Sequence, residues 1–588
     1  MVYITALELP EISAVVGSYL PLGSLSRCTL VCRAWRRRFL PDLWRNFGTQ
    51  NYFGGRNKPP PALSVKVLAA LEKHASLVRQ LHIQEYFLVQ LQSIYLPNLQ
   101  SLSVAPYFAA LDQQEAQTAL EDLIERHDRL QILGIENRNT LRMQIVWDIE
   151  TRRKTASDGD ERFQEQQQLR TLSVHDHVLD AQELCMNKNA GWDLLRGLET
   201  LSLTRTKWTL TKDDSVSLSS LLLRDHFSHL RNNRIQSLSL IDCQPQSTDL
   251  DFQIITHCQQ LRSLTWHQRG FDDWQDESLD LVSGMAKGLA ERLWPYLDTI
   301  ELCLKNAKDD QYAEVIENLG RHSPLRSLTM SKTTFGPKSA QALLYGQGGR
   351  HRASLEKLYI RYCRSVTGAM VHQVLCSFTK LTTLQAPFIT ELDVLQDPKP
   401  WVCLGMKDLK VCLYVPILGA DMDLNTITVV DPTVPVTSKS LPPVVPRPST
   451  ALLDRIATLT RLELLNVACR DTVVPPRAPL TVQHRRPTDC WTVPPIQLDN
   501  DEGTVSDHFS GYSGSLTRLG SLKRLREFIP TSTGHCWTMR EAQWMVENWP
   551  QLVSLECSPL LDNQMTSEEV SLFLEQHGVE DNYDFLFD

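Results

Sequence analysis

Few residue clusters in this sequence have the types and spacing for covalent chemistry. His175 and His177 flank Asp176, and imidazole and carboxylate are metal-ligand types. No cysteine pair accompanies them, so a polar strand end is the plainer reading. Gly346–Gly349 (GQGG) lacks the Gly-x-Gly-x-x-Gly spacing and follows no strand pattern. Gly511–Gly514 (GYSG) is one residue short of a nucleophile elbow. There is no GxxxxGK[ST] phosphate loop and no HExxH zinc motif. The 14 cysteines form no Cys-x-x-Cys pair, which reads as small core residues in a reducing compartment. The expectation is a non-catalytic protein with no cofactor and no metal.

What remains is the chemistry of recognition, set on a repeated strand. A leucine, two residues, a leucine, one residue and an apolar residue recur along most of the chain. Copies are LPNLQSLSV at 96–104, LQIL at 130–133, LRTLSV at 169–174 and LETLSL at 198–203. IQSLSL at 235–240, LRSLTW at 261–266, LDTIEL at 297–302 and LRSLTM at 325–330 follow, then LEKLYI at 355–360 and LTTLQA at 381–386. Weaker copies are LKVCLYV at 409–415, LTRLELL at 459–465, LKRLREF at 522–528 and LVSLECS at 552–558. The alternation predicts a short strand with one buried face. Helical stretches such as Gln113–His127, Gln311–Gly320 and Ala369–Phe378 lie between copies. Strand then helix at a period of tens of residues predicts an α/β solenoid: a horseshoe with parallel strands inside and helices outside. One copy alone would fit an amphipathic helix; about a dozen do not.

The residues between the leucines then share the open face of the strands. That row reads Ser103, Ser173, Ser202, Ser239, Thr265, Glu301, Thr329 and Tyr359, and the next reads His175, Thr204, His267, Ser331 and Arg361. The candidate substrate-binding positions are His175, His267, Glu301, Tyr359 and Arg361, because large aromatic and cationic groups dominate interface energetics. Small hydroxyls elsewhere in the row equally suit a face with no special role.

Polar and proline-rich stretches interrupt the rhythm at 151–168, 416–450 and 471–515, and read as loop inserts. Met539–Pro550 and Ser567–Gly578 read as amphipathic helices capping the last repeat. The net charge of −9 argues against nucleic acid as the main partner. No apolar run approaches the roughly 18 residues of a membrane span, and the start lacks a basic leader. The expectation is a cytoplasmic or nuclear protein with no membrane partner.

Residues 7–47 are different: short amphipathic pieces too small to bury much surface alone. Pro10 suits a helix first turn, Ser24 a second helix start, and Pro41 the start of a third helix carrying Leu43 and Trp44. Leu9-Pro10-Glu11-Ile12, Tyr19-Leu20, Leu25, Val31-Cys32-Arg33-Ala34-Trp35 and Leu43-Trp44 resemble the F-box motif in order and spacing. The stretch LEKLYIRYCRSVTGAMVHQVLCSFTKLTTL resembles the cysteine-containing class of leucine-rich repeats, which is common behind F-boxes. The resemblance, fungal in style, implies an F-box at 1–50, a linker at 51–76 and leucine-rich repeats at 77–588. It further implies a substrate receptor of an SCF-type cullin–RING ubiquitin ligase. Leu9, Pro10, Ile12, Tyr19, Leu20, Leu25, Val31, Cys32, Trp35, Leu43 and Trp44 would then form or support the face for a Skp-family adaptor, and through it a cullin. The alternatives are a non-degradative scaffold, or a binding module whose N-terminal helices merely cap the first repeat. The capping alternative predicts that Val31 and Trp35 pack against that repeat.

Overall fold

The computed structural model describes residues 9–48, 63–105, 113–136, 169–176, 178–180, 197–209, 234–243, 254–268, 279–304, 307–319, 324–414, 451–467, 515–529, 537, 539–555 and 568–581. The inserts at 151–168 and 416–450, nearly all of 471–515, the GYSG segment, His177 and residues 51–62 lie outside them. The chain divides into two units, Met1–Gly270 with Leu293–Tyr296, and Phe271–Arg292 with Leu297–Asp588.

The first unit opens with three helices, α1 (Pro10–Tyr19), α2 (Leu22–Val31) and α3 (Arg33–Arg45). Strands β1 (Asn46–Gly48), β2 (Gln80–Gln84), β3 (Ser101–Ala105), β4 (Ile132–Glu136) and β5 (Thr171–His175) then pair in parallel, one after the next. The run continues through β7 (Thr200–Thr204), β9 (Ser237–Ile241) and β10 (Ser263–Gln268), while β6 (Val178–Asp180) and β8 (Lys207–Thr209) form a separate two-stranded pair. Helices α4 (Val65–Lys73) and α5 (Gln113–Arg126) lie between strands.

The second unit repeats the scheme. Its strands are β11 (Thr299–Leu304), β12 (Ser327–Thr329), β13 (Lys357–Tyr359), β14 (Thr383–Thr390), β15 (Asp408–Tyr414), β16 (Leu464–Asn466), β17 (Glu527–Ile529), β18 (Ser554–Leu555) and β19 (Glu580–Asp581). Each pairs in parallel with the next. Helices α6 (Leu279–Ala290), α7 (Asp309–Leu319), α8 (Pro337–Tyr345), α9 (Gly368–Leu375), α10 (Glu391–Gln396), α11 (Ala451–Ala457), α12 (Met539–Asn548) and α13 (Glu568–Gln576) alternate with them. Each unit is thus a run of α/β solenoid.

The repeat phrase explains this order. Its second leucine forms one buried ladder, Leu81, Leu102, Leu133, Leu172, Leu201, Leu238 and Leu264 in the first unit. In the second it runs Ile300, Leu328, Leu358, Leu384, Leu409, Leu465, Phe528 and Leu555, all without solvent exposure. A side chain that finds an equivalent above and below buries its whole apolar surface only by stacking, which is why the repeats need one another.

A second rule lies three residues before the phrase. Leu96, His127, Cys258, Trp294, Phe378, Cys403, Leu459, Leu522 and Trp549 occupy that position and are buried. The backbone N–H at the start of the phrase donates back to several of their carbonyls, as Leu99 to Leu96 (3.0 Å), Leu261 to Cys258 (3.2 Å), Leu462 to Leu459 (2.9 Å) and Leu552 to Trp549 (2.9 Å). Polar rings here tie neighbouring repeats together. The indole of Trp294 donates to the Ile255 carbonyl (2.8 Å), that of Trp549 to the Leu519 carbonyl (3.0 Å), and His127 Nε2 accepts the Leu96 N–H (3.0 Å).

These turn leucines correct the register expected for three copies. The true phrases are MKDLKV at 406–411, LELLNV at 462–467 and LREFI at 525–529, three residues from the starts of LKVCLYV, LTRLELL and LKRLREF, because Leu384, Leu409, Leu465 and Phe528 are the paired residues. In the latter two copies Leu459 and Leu522 mimic the phrase while belonging to the turn before it. The strand of LVSLECS appears as β18 after α12, and one further strand not expected from the repeat phrase, β19, follows α13, so neither helix serves only as a terminal cap.

Candidate protein-binding surfaces

The first surface is built by α1–α3. Pro10 sits at the start of α1, where a missing N–H costs nothing. Cys32 separates α2 from α3: its backbone is extended (φ −159°, ψ 170°) and its Sγ accepts the Trp35 N–H at 3.4 Å. The second helix break therefore falls at Cys32, not before Pro41, which lies inside α3. Likewise α2 starts at Leu22, ahead of Ser24. Phe39 and Leu25 fill the small core, and the Trp35 ring meets Phe39 edge-on at 5.5 Å. The α1–α3 crossing is close, for a Cβ on Gly17 would run into the Asp42 carboxyl. Burial pushes that carboxyl above the usual range, with Arg45 opposing.

So small a core leaves apolar residues outside. Tyr19 is 84% exposed, Leu30 82%, Val31 64% and Val15 58%, with Leu9, Ile12 and Leu22 also exposed. Cys32 is exposed and Leu20 half-buried. Leu25, Trp35, Leu43 and Trp44 instead stand behind this face, from half-buried to buried. Trp44 stacks on Phe47 (centroids 6.2 Å) and on His74 (4.8 Å). Burial, with Lys73 and Arg36 nearby, pulls the His74 imidazole below its ordinary range. Val31 faces solvent and the Trp35 ring packs on Phe39 within the module, which favours an exposed face over a pure capping role. Val15, Leu22 and Leu30 join this surface beyond the residues expected from the motif. Their i, i+3 and i+4 spacings were visible, but periodicity alone does not say which apolar stripe faces outward.

The second surface is the open strand row. In the first unit His175 and His267 stand on one ladder, separated by Thr204 and Ile241. At ~4.8 Å per strand that places them roughly 14 Å apart. His175 Nε2 lies 3.1 Å from Ser173 Oγ. In the second unit Glu301, Thr329, Tyr359, Gln385, Lys410 and Asn466 form one ladder. The structure so brings Glu301 and Tyr359 together, two strands apart. Burial, joined by the charges of Asp408 and Glu301, pushes the Tyr359 phenol up against a hydrogen bond from Thr383. Asp408 is itself raised by burial and by Glu527, with Lys410 opposing. Arg361 lies beyond the strand end, 5.4 Å from the Tyr362 ring, and Lys332 approaches the same ring at 5.4 Å. Asp408, Lys410 and Tyr362 were missed; the shifted register at 409–415 concealed the first two.

Among the described cysteines, Cys243, Cys258, Cys303, Cys363, Cys403 and Cys412 are buried. Cys363 Sγ lies 2.7 Å from the Met330 carbonyl of the preceding repeat, and burial raises its thiol; that of Cys403 is pushed up to about 12. Among the described residues no group of three His, Cys, Asp or Glu could hold a metal, and no helix is long and apolar enough to cross a membrane.

Residues 10–50 match the F-box-like family model. No curated protein matches the chain. Among solved structures it is similar to the crystal structure of the Rad7 and Elc1 complex in yeast, at 12% identity and a TM-score of 0.36, over 68% of this chain and 92% of that chain.

Proposed function

We propose that this chain is a receptor subunit of an SCF-type cullin–RING ubiquitin ligase, docking a Skp-family adaptor through α1–α2 and a protein substrate on the open strand face. One observation carries the reading: a region matching the F-box-like family leaves Val15, Tyr19, Leu22, Leu30 and Val31 exposed on two short helices. An apolar face of this kind is a liability in a monomer and an asset at an interface. The strand face contributes positions for contact with a substrate, with Tyr359, Glu301 and Arg361 in one unit and His175 and His267 in the other. The receptor supplies positioning, which raises the effective concentration of a target near the ubiquitin-loaded enzyme.

The test is a binding titration of the full chain against a purified Skp-family adaptor, beside a Leu30→Asp, Val31→Asp double variant. Both side chains are mostly exposed, so the variant keeps its fold. Its affinity should drop about 30-fold or more, roughly 2 kcal/mol, the scale of a hot spot. Equal affinity for the two proteins would remove the docking role from this face.

A further inference from the structure

The α1–α3 module carries a charge opposite to that of its chain. Residues 9–48 contain six arginines and two carboxylates, Glu11 and Asp42, a net +4 within a protein of net −9. Asp42 feels Arg45. Arg27, Arg33, Arg36 and Arg37 are exposed and make no ion pair among the described residues.

Their placement follows from helix geometry. On α2, Arg27 precedes Leu30 and Val31 by three and four residues, so it shares their face. On α3, Arg33, Arg36 and Arg37 hold the same i, i+3, i+4 relation and are exposed to one side of the buried Phe39. Val31 and Arg33 are separated only by extended Cys32. The arginines therefore form a stripe that begins at the border of the exposed apolar face and reaches Arg36, close enough to act on His74.

We infer that the surface docking on this module is acidic at its rim: an apolar groove on the adaptor, flanked by carboxylates that face Arg27, Arg33, Arg36 and Arg37. This rests on the adaptor reading above and specifies the chemistry of the partner. An apolar centre with a charged rim is the anatomy of a protein–protein interface, in which arginine is enriched. A nucleic acid fits worse, because a phosphate backbone offers nothing to Leu30, Val31 and Tyr19, and the remainder of the chain repels a polyanion. Rim charges act mainly on the encounter rate, which salt screens, and little on dissociation.

The experiment measures association and dissociation rates of the full chain with a purified Skp-family adaptor from 50 to 500 mM NaCl. It is repeated with an Arg27→Gln, Arg33→Gln, Arg36→Gln, Arg37→Gln variant whose helicity and melting are checked first. The association rate of the wild type should fall about tenfold across the series, with dissociation changed less than about twofold. At 50 mM the variant should already associate at the wild-type rate seen in 500 mM, and its rate should stay flat. A wild-type rate independent of salt, or a variant that follows the wild type, overturns the inference while leaving the adaptor reading intact. Tighter binding at 50 mM to a single-stranded RNA than to the adaptor overturns it as well. No adaptor binding at any salt removes both.

Discussion

At the scale of the residue, some polar groups of the repeats are consumed by a neighbouring repeat and others are left on the open face. His372 is of the first kind. It is buried, donates from Nε2 to the Asp397 carbonyl at 2.6 Å and accepts the Trp401 indole N–H at Nδ1 at 3.1 Å, which fixes the orientation of the ring. His351 is less complete. It is fully buried, Nε2 meets the Ile316 carbonyl at 3.1 Å, and Nδ1 has no hydrogen-bond partner among the described residues. Burial holds this imidazole below its ordinary range, against the bond to Ile316. A histidine whose folded pKa is lowered stabilises the fold above its unfolded value near 6.5, and that contribution is lost as the pH falls through it. Melting temperature should therefore drop more steeply between pH 7 and pH 5 in the wild type than in His351→Gln, which keeps a donor for Ile316 and cannot charge. Parallel pH profiles would show that His351 is not the group responsible. Residue positions were legible where strand alternation was clean: the places of Glu301 and Tyr359 on one ladder follow from LDTIEL and LEKLYI. Asp408 was not, because its strand was read three residues out of place.

At the scale of the element, repeats are joined by side chains that complete the next helix. The Asp309 carboxylate, at the start of α7, accepts N–H groups of Gly336 (2.8 Å), Lys338 (2.9 Å) and Ser339 (3.1 Å) and the Ser339 hydroxyl (2.6 Å). It is an N-cap supplied to α8 from the preceding helix, and it satisfies donors that would otherwise be orphaned. Asp309→Ala should cost about 2–3 kcal/mol, since several part-buried donors lose their acceptor together. Asp309→Asn should cost less, because one acceptor oxygen remains. The midpoint of urea unfolding reports both, and an alanine variant within 0.5 kcal/mol of the wild type, about the spread of a surface substitution, would remove the cap from the account. The residue before the strand adds charge pairs between some neighbouring repeats. Arg170 faces Glu199 (3.7 Å), Asp298 faces Arg326 (4.0 Å) and Lys407 faces Glu463 (3.2 Å). Such exposed pairs contribute little stability, but a strand shifted by one repeat would lose its match. The strand phrases were readable because their period is two. The helix breaks and the later register were harder, since Cys32 caps through sulfur and the turn residues Leu459 and Leu522 imitate the strand they precede.

At the scale of the whole molecule, the proposed activity needs two binding surfaces and a fixed connection between them, and the first unit shows how one end is mounted. β1 leaves α3 directly and pairs in parallel with β2, Asn46 with Gln80 and Phe47 with Leu81, while the Arg79 N–H donates to the Arg45 carbonyl at 3.0 Å. Trp44 adds its stack on His74, after α4. The proposed adaptor face lies elsewhere on the module, on α1 and α2, so mounting and docking would be separable. Trp44→Ala removes a large aromatic contact and none of Tyr19, Leu30 or Val31. Amide hydrogens of Asn46–Gly48 should then exchange about tenfold faster or more, equivalent to losing roughly 1.4 kcal/mol of local stability, while β3 to β5 keep their protection, because a solenoid passes a defect chiefly to its neighbours. Adaptor affinity should stay within about twofold of the wild type. Ubiquitin transfer to a bound substrate should fall even so, because a loosened mount spreads the target over a larger volume and lowers its effective concentration. Unchanged exchange at β1 would mean that strand pairing alone holds the module and that the Trp44 stack is incidental. Faster exchange with undiminished transfer would mean that the receptor tolerates a flexible joint.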